Sequence, residues 1–251
     1  MPLDVLQHGA QALGLSLTGD HLRAFGVYLT ELEAWNTRFN LTAISGSEEI
    51  QRRHFVDSLS CLLVLPETEA YPGDTVALRR SARRLWFCDV GSGAGFPGLV
   101  LKIMLPEVKM TLIEATRKKC DFMTHVVERL GLRDVEVVHA RAEELGQHAD
   151  YREGYDVALS RAVAPLPVLA EYCLPLLRIG GRMVAQKGPD ADDEVGAAEA
   201  AIATLGGGVS AIKPVHLPDV PGDRYLVVIA KKEPTPPGYP RRPGMPAKRP
   251  L

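Results

Sequence analysis

The spacing of apolar residues in the first eighty positions predicts helices. One apolar series recurs at intervals of three, four and three residues, which is the spacing of one helix face. The series consists of Leu22, Phe25, Leu29 and Leu32. The tripeptide Thr18-Gly19-Asp20 precedes the series and marks the start of this helix.

A second apolar helix face follows a short connector at residues 40–44. Ser45 and Glu48 have the spacing of a capping box, in which each side chain bonds a backbone amide at the helix start. The helix face comprises Ile50, Phe55, Leu59, Leu62 and Leu63. Prolines and a glycine break the pattern over residues 66–83, where we expect a boundary loop. Residues 1–78 are therefore predicted to form a helical N-terminal region.

From residue 85 onward, short apolar runs alternate with longer amphipathic stretches. The predicted strands cover residues 85–90, 108–114, 135–138, 155–160, 182–186, 209–217 and 224–230. The predicted helices begin near Pro97 and cover residues 118–130, 165–177 and 190–205, with Gly180-Gly181 ending the helix over 165–177. Strands separated by helices form a parallel sheet that is covered on both faces. We therefore predict an α/β domain over residues 79–233.

The last segment, residues 234–251, differs in composition from the rest of the chain. It contains seven prolines, and a segment so rich in proline is predicted to lack regular structure. It is also basic, because it holds Arg241, Arg242, Lys248 and Arg249. We therefore treat this segment as a Pro/Arg-rich basic tail.

The overall composition is that of a globular protein with balanced charge. The 251 residues are 46% hydrophobic and 24% charged, with 29 Lys and Arg against 31 Asp and Glu, which excludes a histone-like polycation. No apolar run reaches the length of a membrane span, and the N-terminus lacks the basic region of a secretory signal. The four cysteines form no CxxC pair. We expect a cytoplasmic protein with reduced thiols and without a metal site.

The most informative motif is the glycine-rich turn at residues 89–98, which follows the first predicted strand. Read from Gly93, it matches the GxGxxG fingerprint of dinucleotide-binding proteins, but Gly91 already leaves the strand, so the register is wrong. Asp89, two residues before Gly91, disfavours the pyrophosphate that this turn would bind in a dinucleotide enzyme. The acid suits a cationic ligand such as S-adenosylmethionine, which carries a sulfonium and an ammonium group. The alternative is a tight turn with an incidental acid.

Two further acids follow the next strands. Glu114 closes the second predicted strand 23 residues after Gly91, where such folds bind the ribose hydroxyls of adenosine. Ala142-Glu143 follows the third strand and is a candidate for holding the adenine. The alternative for Glu143 is a first-turn helix acid that interacts with the helix dipole.

These motifs together resemble the RsmG (GidB) family of bacterial small-subunit rRNA methyltransferases. The resemblance covers nearly the whole chain and is carried by residues 89–98, Asn40-Leu41-Thr42, His54-Phe55-Val56-Asp57-Ser58-Leu59, Glu114, Ser160-Arg161-Ala162 and Gln186-Lys187-Gly188. The resemblance implies a class I methyltransferase (Rossmann-like) fold. This fold has a seven-stranded, mostly parallel sheet with helices on both faces, here with a helical N-terminal extension. It also implies methyl transfer from S-adenosylmethionine to N7 of a guanine in 16S rRNA.

The candidate cofactor-binding residues come from two sources. The glycine-rich turn itself indicates Asp89, Gly93 and Gly95, and the resemblance implies the others. The residues that it implies are Gly91, Phe96, Glu114, Ala115, Thr116, Ala142, Glu143 and Arg161. Guanine N7 has a free lone pair and no proton to lose, so positioning and electrostatics suffice without a general base. Arg161 is the candidate catalytic residue, because its guanidinium can stack on a base or donate to guanine O6. The alternative for Arg161 is a surface ion pair.

The expected partner is 16S rRNA, either free or within a small subunit or an assembly intermediate, and we expect a monomer. Basic residues cluster at residues 79–84, 117–119 and 231–251, and such segregation produces a basic face on a nearly neutral protein. The candidate substrate-binding residues are Lys187, Arg241 and Arg242. The alternative for each basic cluster is a solvated loop or tail. The alternatives for the function are a methyltransferase that acts on small molecules or proteins and a non-catalytic RNA-binding factor. We interpret His54 and Asp57, three residues apart on one helix face, as links between the N-terminal helices and the catalytic domain.

Overall fold

The computed structural model describes residues 2–65, 85–220 and 222–251, and its centre is one β-sheet. In these residues seven strands pair in the order β3-β2-β1-β4-β5-β7-β6. The strands are β1 (Trp86–Val90), β2 (Lys109–Glu114), β3 (Val135–His139), β4 (Tyr155–Arg161), β5 (Leu177–Lys187), β6 (Gly207–Val215) and β7 (Arg224–Lys231). Strands β3, β2, β1, β4 and β5 are parallel, whereas β7 runs antiparallel between β5 and β6. The seven strands and the class I methyltransferase fold are thus confirmed.

Helices cover both faces of the sheet. They are α1 (Asp4–Ala12), α2 (Gly19–Phe39), α3 (residues 47–64), α4 (Gly98–Met104), α5 (Arg117–Leu130), α6 (Ala142–Leu145), α7 (Leu166–Cys173), α8 (Ala191–Thr204) and α9 (Met245–Lys248). Neighbouring strand residues alternate between two apolar clusters, as their opposite orientation requires. Phe87 belongs to the cluster of α1 to α5, and Cys88 belongs to the cluster of α6 to α8. None of the helices in the described residues is long and apolar enough to cross a membrane.

The sheet creates a crevice beside β1. The chain leaves β1 toward β2 on one side, while β4 pairs with β1 on the other side, so the strand order reverses at this point. Open α/β sheets bind their ligands outside the carboxyl ends of the strands at such a reversal. The residues that follow β1, β2 and β4 therefore face one crevice.

The predicted start of α2 is confirmed, but the predicted start of α3 is wrong. Thr18 caps α2, because its side chain accepts a hydrogen bond from the backbone of His21 and its own amide donates to the His21 ring. Ser45 and Glu48 form no capping box. Gly46 has a φ of 88°, which turns the chain after Ser45 and lets the helix begin only at Ser47.

Helix α3 changes its winding along its length, which the apolar pattern did not predict. It starts as an α-helix at Ser47–Ile50, becomes a π-helix at Gln51–Val56, returns to α at Asp57–Leu59 and ends as a 3₁₀-helix at Ser60–Val64. Short π segments occur frequently at functional sites, because the wider turn re-aims side chains and frees backbone carbonyls.

The predicted helix over residues 165–177 is too long. Helix α7 ends at Cys173, a 3₁₀ turn covers Leu174–Leu176, and β5 already begins at Leu177. Pro175 has no amide hydrogen to continue the α-helical ladder, which accounts for the early end. Gly180-Gly181 therefore lies within β5 rather than after a helix.

The N-terminal helices pack on the sheet rather than apart from it. Residues of α1, α2 and α3 share one apolar cluster with Phe87 of β1 and Leu112 of β2. The predicted boundary between residues 78 and 79, and the arginines at 79–84, lie outside the described residues. The division of the chain at that point stays a prediction.

The C-terminal tail departs from its predicted irregularity in one place. The prediction of no regular structure is wrong for Met245–Lys248, which forms one helical turn. Pro246 lies in the first turn, where a missing amide hydrogen costs the helix nothing. The tail also packs against the domain, because Tyr239 and Leu251 contact the apolar cluster of α6 to α8.

We predict opposite effects for two helical Gly→Ala substitutions in the N-terminal layer. A Cβ at Gly9 in α1 would lie 2.4 Å from Val56 Cγ2, so Gly9→Ala should lower the free energy of unfolding by about 1–3 kcal/mol. A Cβ at Gly26 in α2 would meet only Leu3 at 3.9 Å, so Gly26→Ala should raise it by about 0.5–1 kcal/mol. Denaturant unfolding of both variants checks this. An unchanged or raised stability of Gly9→Ala would contradict the close packing of α1 on α3, and destabilisation by Gly26→Ala would contradict the open space beside α2.

Candidate active site

The loop after β1 approaches its neighbours too closely for side chains at Gly91 and Gly95. Gly91, Gly93 and Gly95 have φ values of 71°, 59° and 96°, a region that favours glycine. A Cβ on Gly91 would lie 2.5 Å from Val163 Cγ2. A Cβ on Gly95 would lie 2.4 Å from Leu99 Cδ1. The loop therefore presents bare backbone to the crevice.

Asp89 is a fully buried acid beneath this loop. Its Oδ2 atom accepts a hydrogen bond of 2.9 Å from the Gly98 amide at the start of α4. Its Oδ1 atom is buried and has no partner among the described residues. Burial raises the pKa of Asp89 to about 7, although the Gly98 hydrogen bond and the charge of Arg161 oppose the shift. An acceptor without a donor therefore lies next to the loop.

Glu114 at the end of β2 braces the glycine loop from the other side. Its Oε2 atom accepts from the Gly93 amide at 3.0 Å, and its Oε1 atom accepts from the Thr116 amide at 2.8 Å. Each carboxylate oxygen keeps a second lone pair for a ligand. The sequence singled out Glu114 as a ligand-binding acid, and the structure adds this bracing role.

A cleft of about 280 Å³ opens between the carboxyl ends of β1, β2 and β3. Of the predicted cofactor residues, it brings together Gly91, Glu114, Ala115, Ala142 and Glu143. The other predicted cofactor residues are not in its lining, namely Asp89, Gly93, Gly95, Phe96, Thr116 and Arg161. Most of these shape the loop beneath the cleft or lie beside it.

Phe96 connects the glycine loop to the N-terminal helices. Its ring is buried and stacks with Tyr28 at 5.3 Å and with His54 at 4.4 Å between ring centroids. The Tyr28 hydroxyl donates a hydrogen bond to the Ala94 carbonyl of the same loop. The structure therefore places Phe96 in the aromatic contact between the two layers rather than in the lining of the cleft.

Arg161 at the end of β4 forms the polar contact between the same layers. Its guanidinium donates to Asp57 Oδ2 at 2.9 Å, to the Arg53 carbonyl at 3.1 Å and to His54 Nδ1 at 3.0 Å. The carbonyl and both side chains belong to α3. We predicted from the sequence that His54 and Asp57 link the N-terminal helices to the catalytic domain. Both residues do so through their hydrogen bonds with Arg161.

These hydrogen bonds fix the tautomer and the charge of His54. Arginine can only donate, so His54 Nδ1 accepts and carries no proton. The proton is therefore on Nε2, which donates to Thr42 Oγ1 at 2.8 Å. Burial and the charge of Arg161 lower the pKa of His54 to about 3. His54 is neutral at physiological pH.

A second pocket of about 450 Å³ lies beside the cleft and shares Ala162 with it. Four cationic side chains line this pocket, namely Arg53, Arg161, Lys187 and Arg224. Asp57 and Glu194 are its acids. Within the residues that the structure describes, no cluster of three or more His, Cys, Asp or Glu side chains could hold a metal ion.

The sequence did not single out Arg53 and Arg224 in this pocket. Arg53 directly precedes the His54–Leu59 motif, and this position beside the motif is the sequence signal that could have identified Arg53. Arg224 begins β7, and nothing in the local sequence distinguishes it from other strand-end cations. The two residues line one pocket because α3 packs against β5 and β7.

The predicted substrate-binding residues differ in their surroundings. Lys187 lines the second pocket, and its Nζ atom contacts Glu194 Oε2 at 2.6 Å and the Ala164 carbonyl at 2.9 Å. Arg241 forms a two-pronged ion pair with Glu171, whose side chain is fully buried. Arg242 is exposed, and neither tail arginine is in the lining of the two pockets. The guanidinium of Arg241 is therefore committed to an internal ion pair.

Comparisons with known proteins agree with this architecture. The family described as "GidB: rRNA small subunit methyltransferase G" matches residues 21–222. Proteins described as ribosomal RNA small subunit methyltransferase G are 51% identical in Roseiflexus castenholzii and 48% identical in Roseiflexus sp.. Each alignment covers 99% of this chain and 100% of the relative.

Among solved structures, a variant of the 16S rRNA (adenine(1408)-N(1))-methyltransferase from Catenulisporales acidiphilia, with cosubstrate SAM, superposes with a TM-score of 0.51. The match is 14% identical and covers 64% of this chain and 91% of that one, so it supports the fold alone. The family match and the two relatives that align over nearly the whole chain show more than the fold. The chain belongs to the rRNA small subunit methyltransferase G (GidB) family of S-adenosylmethionine-dependent enzymes.

Proposed function

We propose that this protein transfers a methyl group from S-adenosylmethionine to N7 of a guanine in 16S rRNA. One observation carries the methyl transfer, namely the two adjoining pockets of about 280 and 450 Å³ at the carboxyl edge of the sheet, and the choice of guanine N7 rests on the resemblance to the RsmG family. The smaller cleft holds the residues suited to adenosine, and the larger pocket is lined with cations. A methyl donor in the first pocket and a base in the second would meet near Ala162.

The residues around the cleft fit S-adenosylmethionine, which supplies a methyl group already activated by its sulfonium leaving group. Glu114 and Ala115 would hold the ribose, and Ala142 and Glu143 would hold the adenine. The bare backbone at Gly91 allows a ligand to approach closely, and a Cβ there would obstruct it. The Asp89 carboxylate is buried beneath the loop, and its negative charge can attract the cationic part of the cofactor across the loop.

Arg161 has donors to spare for the base. Five N–H groups belong to its guanidinium, and three of them point at Arg53, His54 and Asp57. The remaining donors can reach guanine O6, next to the N7 atom that accepts the methyl group. Fixed donors stabilise the charge that changes on the base in the transition state.

His54 does not act as a general base in this proposal. Its Nδ1 atom already accepts from Arg161, and its Nε2 proton is donated to Thr42. Guanine N7 attacks with its own lone pair, so no side chain has to remove a proton. His54 instead orients Arg161 and supports the stack on Phe96.

Arg53 and Arg224 are the cations that we assign to the RNA backbone around the target guanine, whereas the Nζ atom of Lys187 is paired with Glu194 and its side chain is only 9% exposed. The two arginines line the larger pocket, and Arg53 and Arg224 have 43% and 35% of their side-chain surfaces exposed. Backbone phosphates are the expected partners of such side chains. Arg242 stays a candidate at the exposed tail, whereas Arg241 is removed from the proposed RNA surface because Glu171 occupies its guanidinium.

Mass-spectrometric mapping of 16S rRNA tests the proposal directly. Small subunits and protein-free 16S rRNA from cells without the protein are incubated with it and with S-adenosylmethionine. We expect one additional N7-methylguanosine that the Arg161→Ala variant forms much more slowly. Methylation of another atom or another nucleotide type, or no methylation of either substrate, would contradict the proposal.

We predict a pH-independent chemical step. Single-turnover methylation at saturating cofactor and RNA should be flat between about pH 6 and pH 9, because the pKa of His54 of about 3 leaves it neutral throughout. His54→Gln should slow the step only a few-fold, since a glutamine oxygen can still accept from Arg161. Arg161→Ala should slow it by about 100-fold. If the wild-type rate rises or falls with pH in this range and His54→Gln abolishes that pH dependence, His54 acts as a general base.

We also predict that cofactor affinity depends on the ionisation of Asp89. Its pKa of about 7 means that the carboxylate fraction grows as pH rises from 6.0 to 7.5, and a cationic ligand binds that form better. Calorimetry should show tighter binding of S-adenosylmethionine at the higher pH, by up to about eightfold, which is the ratio of the carboxylate fractions at the two pH values. Asp89→Asn should bind weakly with a flat profile. Equal pH slopes in the two proteins would remove Asp89 from the cofactor site.

A further inference from the structure

The C-terminal segment is anchored to the domain by buried and partly buried polar contacts. Arg152 donates to the Thr235 carbonyl and to the Tyr239 carbonyl, both at 2.7 Å. Arg241 closes its ion pair on the fully buried Glu171, with 2.6 Å between Nη2 and Oε2. Removing one partner of a buried pair leaves an uncompensated charge, so such a pair holds its segment firmly. The segment therefore follows a defined path over α6 and α7.

Beyond Arg241, this path reaches the wall of the cofactor cleft. The Gly244 amide donates a hydrogen bond of 2.9 Å to Glu143 Oε1. Glu143 is only 3% exposed and lines the cleft. Helix α9, which begins one residue later, packs against α7, and α7 supplies Tyr172 to the same cleft. The segment thus contacts the cleft wall from behind.

We propose that Gly244, held in place by the C-terminal segment, is part of the cofactor site, because its backbone amide positions Glu143. The Gly244 amide fixes one oxygen of the carboxylate and directs the other toward a donor in the cleft, such as the exocyclic amino group of an adenine. The inference rests on the proposed function, because it takes the cleft to be the site of S-adenosylmethionine. It assigns a role within the domain to a segment whose composition is that of a basic RNA-binding tail.

The charge on the carboxylate explains why a single amide matters. Hydrogen bonds to charged groups contribute more than neutral ones, and a buried carboxylate that loses a donor must find another. Without Gly244, the Glu143 carboxylate is free to rotate or to become solvated, and its free oxygen no longer has a fixed direction. The predicted consequence is a weaker cofactor complex with an unchanged chemical step.

A truncation after Pro243 tests the inference in an otherwise intact chain. It keeps the Arg152 contacts and the Arg241–Glu171 ion pair, and it removes the Gly244 amide with α9. We expect about tenfold weaker binding of S-adenosylmethionine and of S-adenosylhomocysteine by calorimetry. The KM for the cofactor should rise by a similar factor, while the single-turnover rate at saturating cofactor should stay within twofold of the wild-type rate. A merely structural role would not separate the two parameters in this way.

Full-length variants guard against unfolding of the truncated protein. Gly244→Ala strains the donor itself, because Gly244 has a φ of 79°, although no atom lies within 4 Å of the added Cβ. It should weaken cofactor binding in the same direction by a smaller factor. Gly238→Ala, also with no atom within 4 Å, is the matched control and should bind normally. Lys248→Gln with Arg249→Gln, which removes two exposed charges of the segment, should also bind normally.

The outcomes separate the inference from the proposed function. Wild-type cofactor affinity in a folded truncation and in Gly244→Ala would overturn the role of the segment alone. A loss of affinity in the Lys248→Gln, Arg249→Gln variant equal to that of the truncation would overturn it as well, since charge would then be the cause. Failure of the wild-type protein to bind S-adenosylmethionine would contradict the proposed function and with it the inference.

Discussion

The ion pair and hydrogen bonds of Arg161 are the interaction on which the candidate site depends. Arg161 ends β4, and its guanidinium binds Asp57, His54 and the Arg53 carbonyl of α3. These bonds join the end of β4 to a helical layer whose apolar residues pack on the sheet. The partners also consume three of its five donors and fix its plane, so the remaining donors point in defined directions. Preorganised donors of this kind need no rearrangement when charge changes in the transition state.

The sequence predicted the sheet well, because the strands are short apolar runs between clear breakers. It predicted the start of α2 because Thr18 is a capping residue whose bonds are local. The errors arose where local signals competed with backbone geometry. Gly46 with its positive φ displaced the start of α3 past the Ser45 capping motif, and Pro175 ended α7 before the glycines did. The π winding within α3 left no trace in the apolar spacing.

The site was predicted in part, for a physical reason that separates its residues into two groups. The glycine turn, Asp89 and Glu114 lie at fixed distances along consecutive strand ends, so spacing alone brings them to one crevice. Arg224 enters through tertiary structure, which spacing does not encode. Arg241 illustrates the converse, because a basic, proline-rich composition indicated a solvated arm, whereas a buried acid 70 positions earlier binds its guanidinium. Composition reports charge but not the partner that neutralises it.

A double-mutant cycle between Asp57 and Arg161 tests the central claim most directly. Single-turnover methylation of 16S rRNA is measured at saturating cofactor for Asp57→Asn, Arg161→Gln and the double variant. If Asp57 acts by orienting Arg161, Asp57→Asn alone should slow the reaction by about tenfold or more, and the double variant should be no slower than Arg161→Gln. Independent effects that multiply in the double variant, or a normal rate in Asp57→Asn, would contradict the account.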